Sequence, residues 1–133
     1  MRLGLTTITH EIKILLVDDN RKVRGRLRAL LDQEEDIQVV GEAKNGLEAI
    51  KLAENLYPNL ILMDVKMPEM GGIEATHTLK KLYPKIPVIL LSVYENHELA
   101  ERGAEAGASA YLVKDSPVEQ LIKTIKKYHR SEN

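Results

Sequence analysis

Asn59-Leu60-Ile61-Leu62-Met63-Asp64-Val65-Lys66-Met67-Pro68-Glu69-Met70-Gly71-Gly72 is the stretch on which the reading of this chain turns. Asn59 to Met63 is a nearly continuous apolar run of strand length, closed by a carboxylate and then by a segment rich in Pro and Gly. A short strand that is apolar at almost every position needs cover on both faces, the condition of a central strand in a parallel sheet. Four other runs of strand length have polar, Gly or Pro borders: Ile12 to Val17, Ile37 to Ala43, Ile86 to Leu91 and Ser109 to Val113. The segments between them have helical spacing. Val23, Leu27, Leu30 and Leu31 form one stripe. Leu47, Ile50 and Leu52 to Leu56 follow the opening Asn45-Gly46, and Ile73 to Leu82 closes at Tyr83-Pro84. Val118, Leu121, Ile122, Ile125 and Tyr128 make the clearest stripe, with Ser116-Pro117 read as N-cap and first-turn proline. Glu95 to Ala106 contains Gly103, ends at Gly107 and has few large apolar residues beyond Leu99, so it is expected to be the least firmly held helix.

Strand followed by helix five times predicts an α/β domain, doubly wound and flavodoxin-like. Right-handed crossovers and short connections favour a five-stranded parallel sheet of order 2-1-3-4-5 with helices on both faces. Its chemistry belongs outside the carboxyl ends of the strands. The 133 residues fit one such domain, read as residues 12–129, with 1–11 as an N-terminal extension and 130–133 as the start of a linker or tail. The aromatic residues are five Tyr with no Phe or Trp, so the core has to be aliphatic. A net charge of −1 offers no basic field for a polyphosphate backbone, which argues against direct nucleic-acid binding by this chain. The absence of Cys excludes disulfides, thiolate zinc sites and cysteine nucleophiles. No apolar run approaches the roughly 20 residues that cross a bilayer, and no export signal stands at the start, so the cytoplasm is the expected location.

The strand ends carry the chemistry. Asp18-Asp19 closes the first strand, Asp64 the third, Ser92 the fourth and Lys114 the fifth. An Asp after a strand often only caps the next helix, and Asn20 or Asp19 could do so here. Three carboxylates converging on one edge, however, repel unless a cation compensates. Magnesium, a hard ion that takes one or two carboxylates together with waters and phosphate oxygens, fits best. A carboxylate can also attack phosphorus to form an acyl phosphate. The transferring group then needs cations and hydrogen-bond donors around it, for which Lys114, Ser92 and the backbone amides after Asp64 are candidates. Asp64, on the central third strand, is the better nucleophile; Asp18 and Asp19 are better placed as metal ligands.

Leu15-Leu16-Val17-Asp18-Asp19-Asn20, the stretch from Leu60 to Gly72, Leu91-Ser92-Val93 and Gly107-Ala108-Ser109-Ala110-Tyr111-Leu112-Val113-Lys114 together resemble the receiver domain of two-component response regulators over about residues 12 to 128. Each motif is weak alone; four in the right order are specific. The wording around Ser92-Val93-Tyr94-Glu95-Asn96 and up to Asp115 resembles the LuxR-type branch, whose members usually carry a C-terminal helix-turn-helix. The resemblance implies Asp64 as phosphoacceptor from a sensor histidine kinase. It implies Asp18, Asp19, Asp64 and the Lys66 carbonyl as magnesium site, and Lys114 as partner of the Asp64 carboxylate and then of the phosphoryl group. Ser92 and Tyr111 are implied as switch residues. Ser92 would turn to the phosphoryl group, Tyr111 would turn inward behind it, and the surface of the fourth helix, fifth strand and last helix would change for a partner. A homodimer is compatible with this, as is DNA binding through a C-terminal domain absent from this chain.

The chain departs from the commonest pattern in three places. Ser92 stands where Thr is more frequent, Val93 where a smaller residue is common, and Lys66 adds a second ammonium near the site. A pseudo-receiver, a binding module with the fold but no phosphorylation, is opposed by the complete set of acids with Ser92 and Lys114, and two other readings remain beside the regulator of a DNA-binding domain. One is a stand-alone receiver acting by protein contact. The other is an aspartyl-nucleophile phosphatase, although its usual pair of acids two residues apart is replaced here by adjacent Asp18 and Asp19 and a substrate cap hardly fits in 133 residues. On the receiver reading, magnesium-dependent self-phosphorylation and self-dephosphorylation at Asp64 would be the chain's only chemistry, with no separate substrate turned over. No G-x-G-x-x-G follows the first strand, which argues against a dinucleotide cofactor. His10, His77, His97 and His129 lack paired metal spacing, and Lys80-Lys81 reads as a solvated face.

Overall fold

A computed structural model describes residues 11–131; His10 and most of the expected N-terminal extension lie outside them. Five strands and five helices alternate along the chain: β1 (Ile12–Val17), α1 (Arg21–Leu31), β2 (Ile37–Ala43), α2 (Gly46–Leu56), β3 (Leu60–Asp64), α3 (Gly72–Leu82), β4 (Val88–Ser92), α4 (His97–Ala106), β5 (Ala110–Val113) and α5 (Val118–Tyr128). All strand pairs are parallel and the order is β2-β1-β3-β4-β5, the doubly wound sheet that the alternation predicts.

The period-two geometry of a strand divides the apolar runs into two cores. Ile12, Ile14 and Leu16 of β1, Leu60 and Leu62 of β3, and Ile89 and Leu91 of β4 face α1 and α5, where Leu31, Leu121 and Ile125 meet them. Leu15, Val17, Ile61, Met63, Val88 and Leu90 face the opposite way, onto Ala49 and Ala53 of α2 and Ala75 and Leu79 of α3. Both faces of β3 and β4 are therefore covered, which is why these runs are continuously apolar. The alanines let α2 and α3 lie close to the sheet. In α4 only Gly103 is buried, and Leu99 packs only partly against the second core.

Several local expectations shift. β3 begins at Leu60 because Asn59 uses its side-chain oxygen to accept the Lys13 amide (2.7 Å). β4 begins at Val88 rather than Ile86, and α4 at His97 rather than Glu95, where the Asn96 side chain accepts from the Leu99 amide (3.0 Å) and sets the helix start. Ser116 does not cap α5: Pro117 occupies that position with no side-chain hydrogen bond, and the Ser116 amide is spent on the Val113 carbonyl (3.0 Å). Lys80 is not simply solvated. Its ammonium donates to the carbonyls of Pro84 (2.8 Å) and Ile86 (2.9 Å), tying down the turn before β4, and burial lowers its pKa. At the end of α5, Arg130 is bound to the domain, donating through its guanidinium to the carbonyls of Pro58 (3.1 Å) and Tyr57 (2.8 Å).

Candidate functional site

Adjacent parallel strands that end in register deliver their next side chains to one place. Val17 of β1 is paired with Met63 of β3, so Asp18 and Asp64 emerge side by side. One carboxylate oxygen each from Asp18, Asp19 and Asp64 lies within 4.8 Å of the others; among the described residues no other group of three or more His, Cys, Asp or Glu meets in this way. Asp18 is 1% exposed and Asp64 is buried, while Asp19 faces solvent. The burial of Asp18 is compensated. Its Oδ1 accepts the Asn20 amide (2.9 Å), its carbonyl accepts from the Arg24 guanidinium (2.6 Å), and its Oδ2 receives the Lys114 ammonium (2.7 Å). Lys114 reaches this position from β5 and also lies 3.3 Å from Asp64 Oδ1. It thus bridges both buried carboxylates and stands closer to Asp18 than to Asp64.

The Lys114 amide donates to the Ser92 carbonyl (2.7 Å), fixing the end of β5 against β4. Ser92 is buried, and its Oγ accepts the Tyr94 amide (3.2 Å) while keeping its own hydrogen to donate. The Tyr111 hydroxyl donates to the Tyr94 carbonyl (2.8 Å), and its ring packs in part against the second core. The exposed Lys66 follows Asp64 by two residues, and its Nζ lies 5.9 Å from the centre of the Tyr94 ring.

Burial, then the negative charge of Asp18 and more weakly of Asp19, raises the pKa of Asp64, with Lys114 opposing. For Lys114, burial is the largest single influence and favours the neutral amine. Asp18 and Asp64 together outweigh it and raise the pKa. Three carboxylates against one ammonium leave surplus negative charge in a set of ligands made only of oxygen. Such a set suits a hard divalent cation of the magnesium type and not a softer metal that prefers His or Cys.

The sequence left one participant open between two candidates and did not single out two others. Asn20 is the cap of α1, accepting from the Lys22 (2.9 Å) and Val23 (3.1 Å) amides, where Asp19 was an equal candidate. Arg24 and Tyr94 were not anticipated at all. Arg24 lies six residues from Asp18, and its role depends on how α1 leaves β1. Tyr94 acts through its main chain, which the identity of a side chain does not reveal.

An α/β domain with a buried, lysine-bridged cluster of acids outside the carboxyl ends of its central strands is thereby defined. Residues 14–126 match the response regulator receiver domain family. The chain belongs to that family. It is 42% identical over 113 residues to an uncharacterized transcriptional regulatory protein, YhcZ, of Bacillus subtilis, covering 85% of this chain and 53% of the relative. It is 41% identical over 115 residues to the response regulator GacA of Pseudomonas aeruginosa, covering 86% of this chain and 54% of that protein. The chain therefore spans about half the length of these relatives. A LuxR-family two-component response regulator from Aurantimonas superposes with a TM-score of 0.85 at 32% identity, covering 88% of this chain and 84% of the other. The response regulator domain of CheB from Thermotoga maritima superposes with a TM-score of 0.81 at 32% identity, covering 89% and 96%. No helix among the described residues is long and apolar enough to cross a membrane.

Proposed function

We propose that this receiver domain accepts a phosphoryl group from a sensor histidine kinase onto Asp64, with magnesium, and that the modification alters the surface formed by α4, β5 and α5. The observation that carries this reading is the Lys114 ammonium held between Asp18 and Asp64, at the one cluster of three acids among the described residues. In the transfer, an Asp64 carboxylate oxygen bonds to phosphorus as the bond from phosphorus to the donor's imidazole nitrogen breaks, and the electron pair of that bond stays on the nitrogen. Asp18, Asp19, Asp64 and the Lys66 carbonyl would hold the ion. Bound there, magnesium supplies positive charge to the phosphoryl oxygens. Lys114 offsets part of the carboxylate charge beforehand and is poised to pair with a phosphoryl oxygen afterwards. Ser92 has a hydroxyl hydrogen free to donate to the same group. Hydrolysis of the acyl phosphate by water would return Asp64 to its first state.

The link to output runs through Tyr94. Its amide is bound to Ser92 Oγ and its carbonyl to the Tyr111 hydroxyl, so rotation of Ser92 toward a phosphoryl group disturbs the loop on which Tyr111 rests. The weak burial of α4 lets that disturbance spread. Taking the two-state balance from 1:99 to 99:1 requires a bias of roughly 5.5 kcal/mol, within reach of a few charge-assisted hydrogen bonds. The transcriptional relatives and the LuxR-family structure support a DNA-binding domain, of the helix-turn-helix type that the LuxR resemblance implies, as the element controlled; the same reading takes the protein to be cytoplasmic and compatible with a homodimer.

Intact mass after incubation with acetyl phosphate and magnesium tests the chemistry. A gain of one phosphoryl group that requires magnesium and is lost in Asp64→Asn is expected. No gain in the unaltered protein would make the chain a binding module without phosphotransfer, and a gain retained by the variant would move the acceptor to another carboxylate.

A further inference from the structure

The loop from β3 to α3 is folded back on Asp64. The Gly72 amide donates to the Val65 carbonyl (2.8 Å), and a Cβ at Gly72 would collide with the Asp64 carbonyl. Inside the loop the Met70 amide donates to the Pro68 carbonyl (2.7 Å), closing a three-residue turn centred on Glu69 at φ +69°. An L-residue occupies that left-handed region only when its surroundings hold it there. What holds Glu69 is the start of α2. Asn45, 6% exposed, caps α2 through Oδ1, which accepts the Glu48 amide (2.9 Å). Its other side-chain atom, Nδ2, donates to Glu69 Oε1 (3.1 Å). Gly46 adds a second strut, its amide donating to the Met70 carbonyl (2.9 Å).

The bracing has a consequence for main-chain oxygens. The carbonyls of Val65, Pro68 and Met70 are engaged in these hydrogen bonds, whereas those of Lys66, Met67 and Glu69 accept none among the described residues, and of these three Lys66 stands nearest to Asp64 along the chain. Three carboxylates do not fill the shell of a hard divalent cation, which takes about six oxygens. We infer that the Asn45–Glu69 pair is a positioning device for the metal site: it holds the loop after the acceptor in the shape that leaves the Lys66 carbonyl available to the ion. This rests on the magnesium reading above. Neither residue belongs to the acid cluster, and both act through the loop backbone.

The test is magnesium affinity by titration calorimetry, with metal-free melting curves, on the unaltered protein, Asn45→Asp and the double variant Asn45→Asp/Glu69→Gln. Asn45→Asp keeps the oxygen that caps α2 but replaces the donor facing Glu69 with a second carboxylate. The magnesium Kd is expected to rise about tenfold, the lower end of what loss of an outer partner does to a metal site. Added negative charge alone would lower the Kd, so the direction separates the two effects. The double variant has the net charge of the unaltered protein and sets an amide donor opposite the new carboxylate, so recovery to within about twofold is expected. An unchanged or tighter Kd in Asn45→Asp, or no recovery in the double variant when both variants melt as cooperatively as the unaltered protein, would overturn the inference. No magnesium binding by the unaltered protein would instead overturn the metal reading, and this inference with it.

Discussion

Asp64 is a carboxyl group whose surroundings work against its charge. Its pKa is raised, so between the ordinary carboxylate value of 3.8 and the raised value the folded chain holds a proton that the unfolded chain has released. Its contribution to stability is therefore present at low pH and is lost as pH rises through that window. Asp64→Asn removes the charge, and without metal at pH 7 the variant is expected to melt above the unaltered protein; an equal or lower melting temperature would contradict this. Magnesium should raise the melting temperature of the unaltered protein and move the variant much less. Lys114 has linkage of the same sign, displaced to alkaline pH. Its raised pKa contributes stability below the ordinary lysine value of 10.5, lost as pH rises through the folded value. Glu42, lowered by its hydrogen bonds to Arg24 and Arg28, stabilises above its ordinary 4.5 and loses that contribution as pH falls through the folded value. Unfolding curves of Glu42→Gln and the unaltered protein should then converge toward acid pH.

Elements differ in how firmly they are held. α1 presents only Leu31 to the interior as a buried residue, so its start depends on Asn20, whose one side-chain oxygen accepts two amides. Asn20→Ala is expected to lower stability by about 1 kcal/mol, read from urea unfolding at constant slope. α4 buries Gly103 and little else, so its amides should exchange faster than those of α2 and α3, whose alanines are buried in the second core. Beryllofluoride, a phosphoryl mimic, is expected to change exchange and chemical shifts over residues 95–112; identical spectra with and without it would sink the proposed switch. The weakness of α4 was legible in its composition. The exact start of β3 was not, because Asn59 is bonded to Lys13 of another strand, and the starts of α4 and α5 were not, because several neighbouring polar residues compete for the same local cap and turn hydrogen bonds.

At the scale of the whole molecule, stability rests on two aliphatic cores separated by one sheet. Ile14 and Leu62 are fully buried in the first and Ile61 and Leu90 in the second. Leu62→Ala or Leu90→Ala should cost about 2–5 kcal/mol in denaturant unfolding, with the spread set by how far each site can close. The two cores have different neighbours. The first is covered by α1 and α5, and the second by α2, α3 and the weakly buried α4, so the surface expected to respond to phosphorylation joins a firmly packed α5 on one core to a loosely held α4 on the other.

The order of strands and helices, the parallel sheet and the identity of the residues at the strand ends were determined by sequence alone, because hydrophobic periodicity and turn chemistry are local and survive being read one segment at a time. Tertiary structure decided what depends on register and on which elements become neighbours. Lys114 meets Asp18 across 96 residues and lies nearer to it than to Asp64. Asn45 crosses 24 residues to hold Glu69 in a backbone conformation that no sequence pattern demands. Tyr94 joins Ser92 to Tyr111 through main-chain atoms common to every residue type. A side chain's type states what it can bond; only the packing of strands and loops sets which partner stands within reach, and the burial of that partner decides how much the bond is worth.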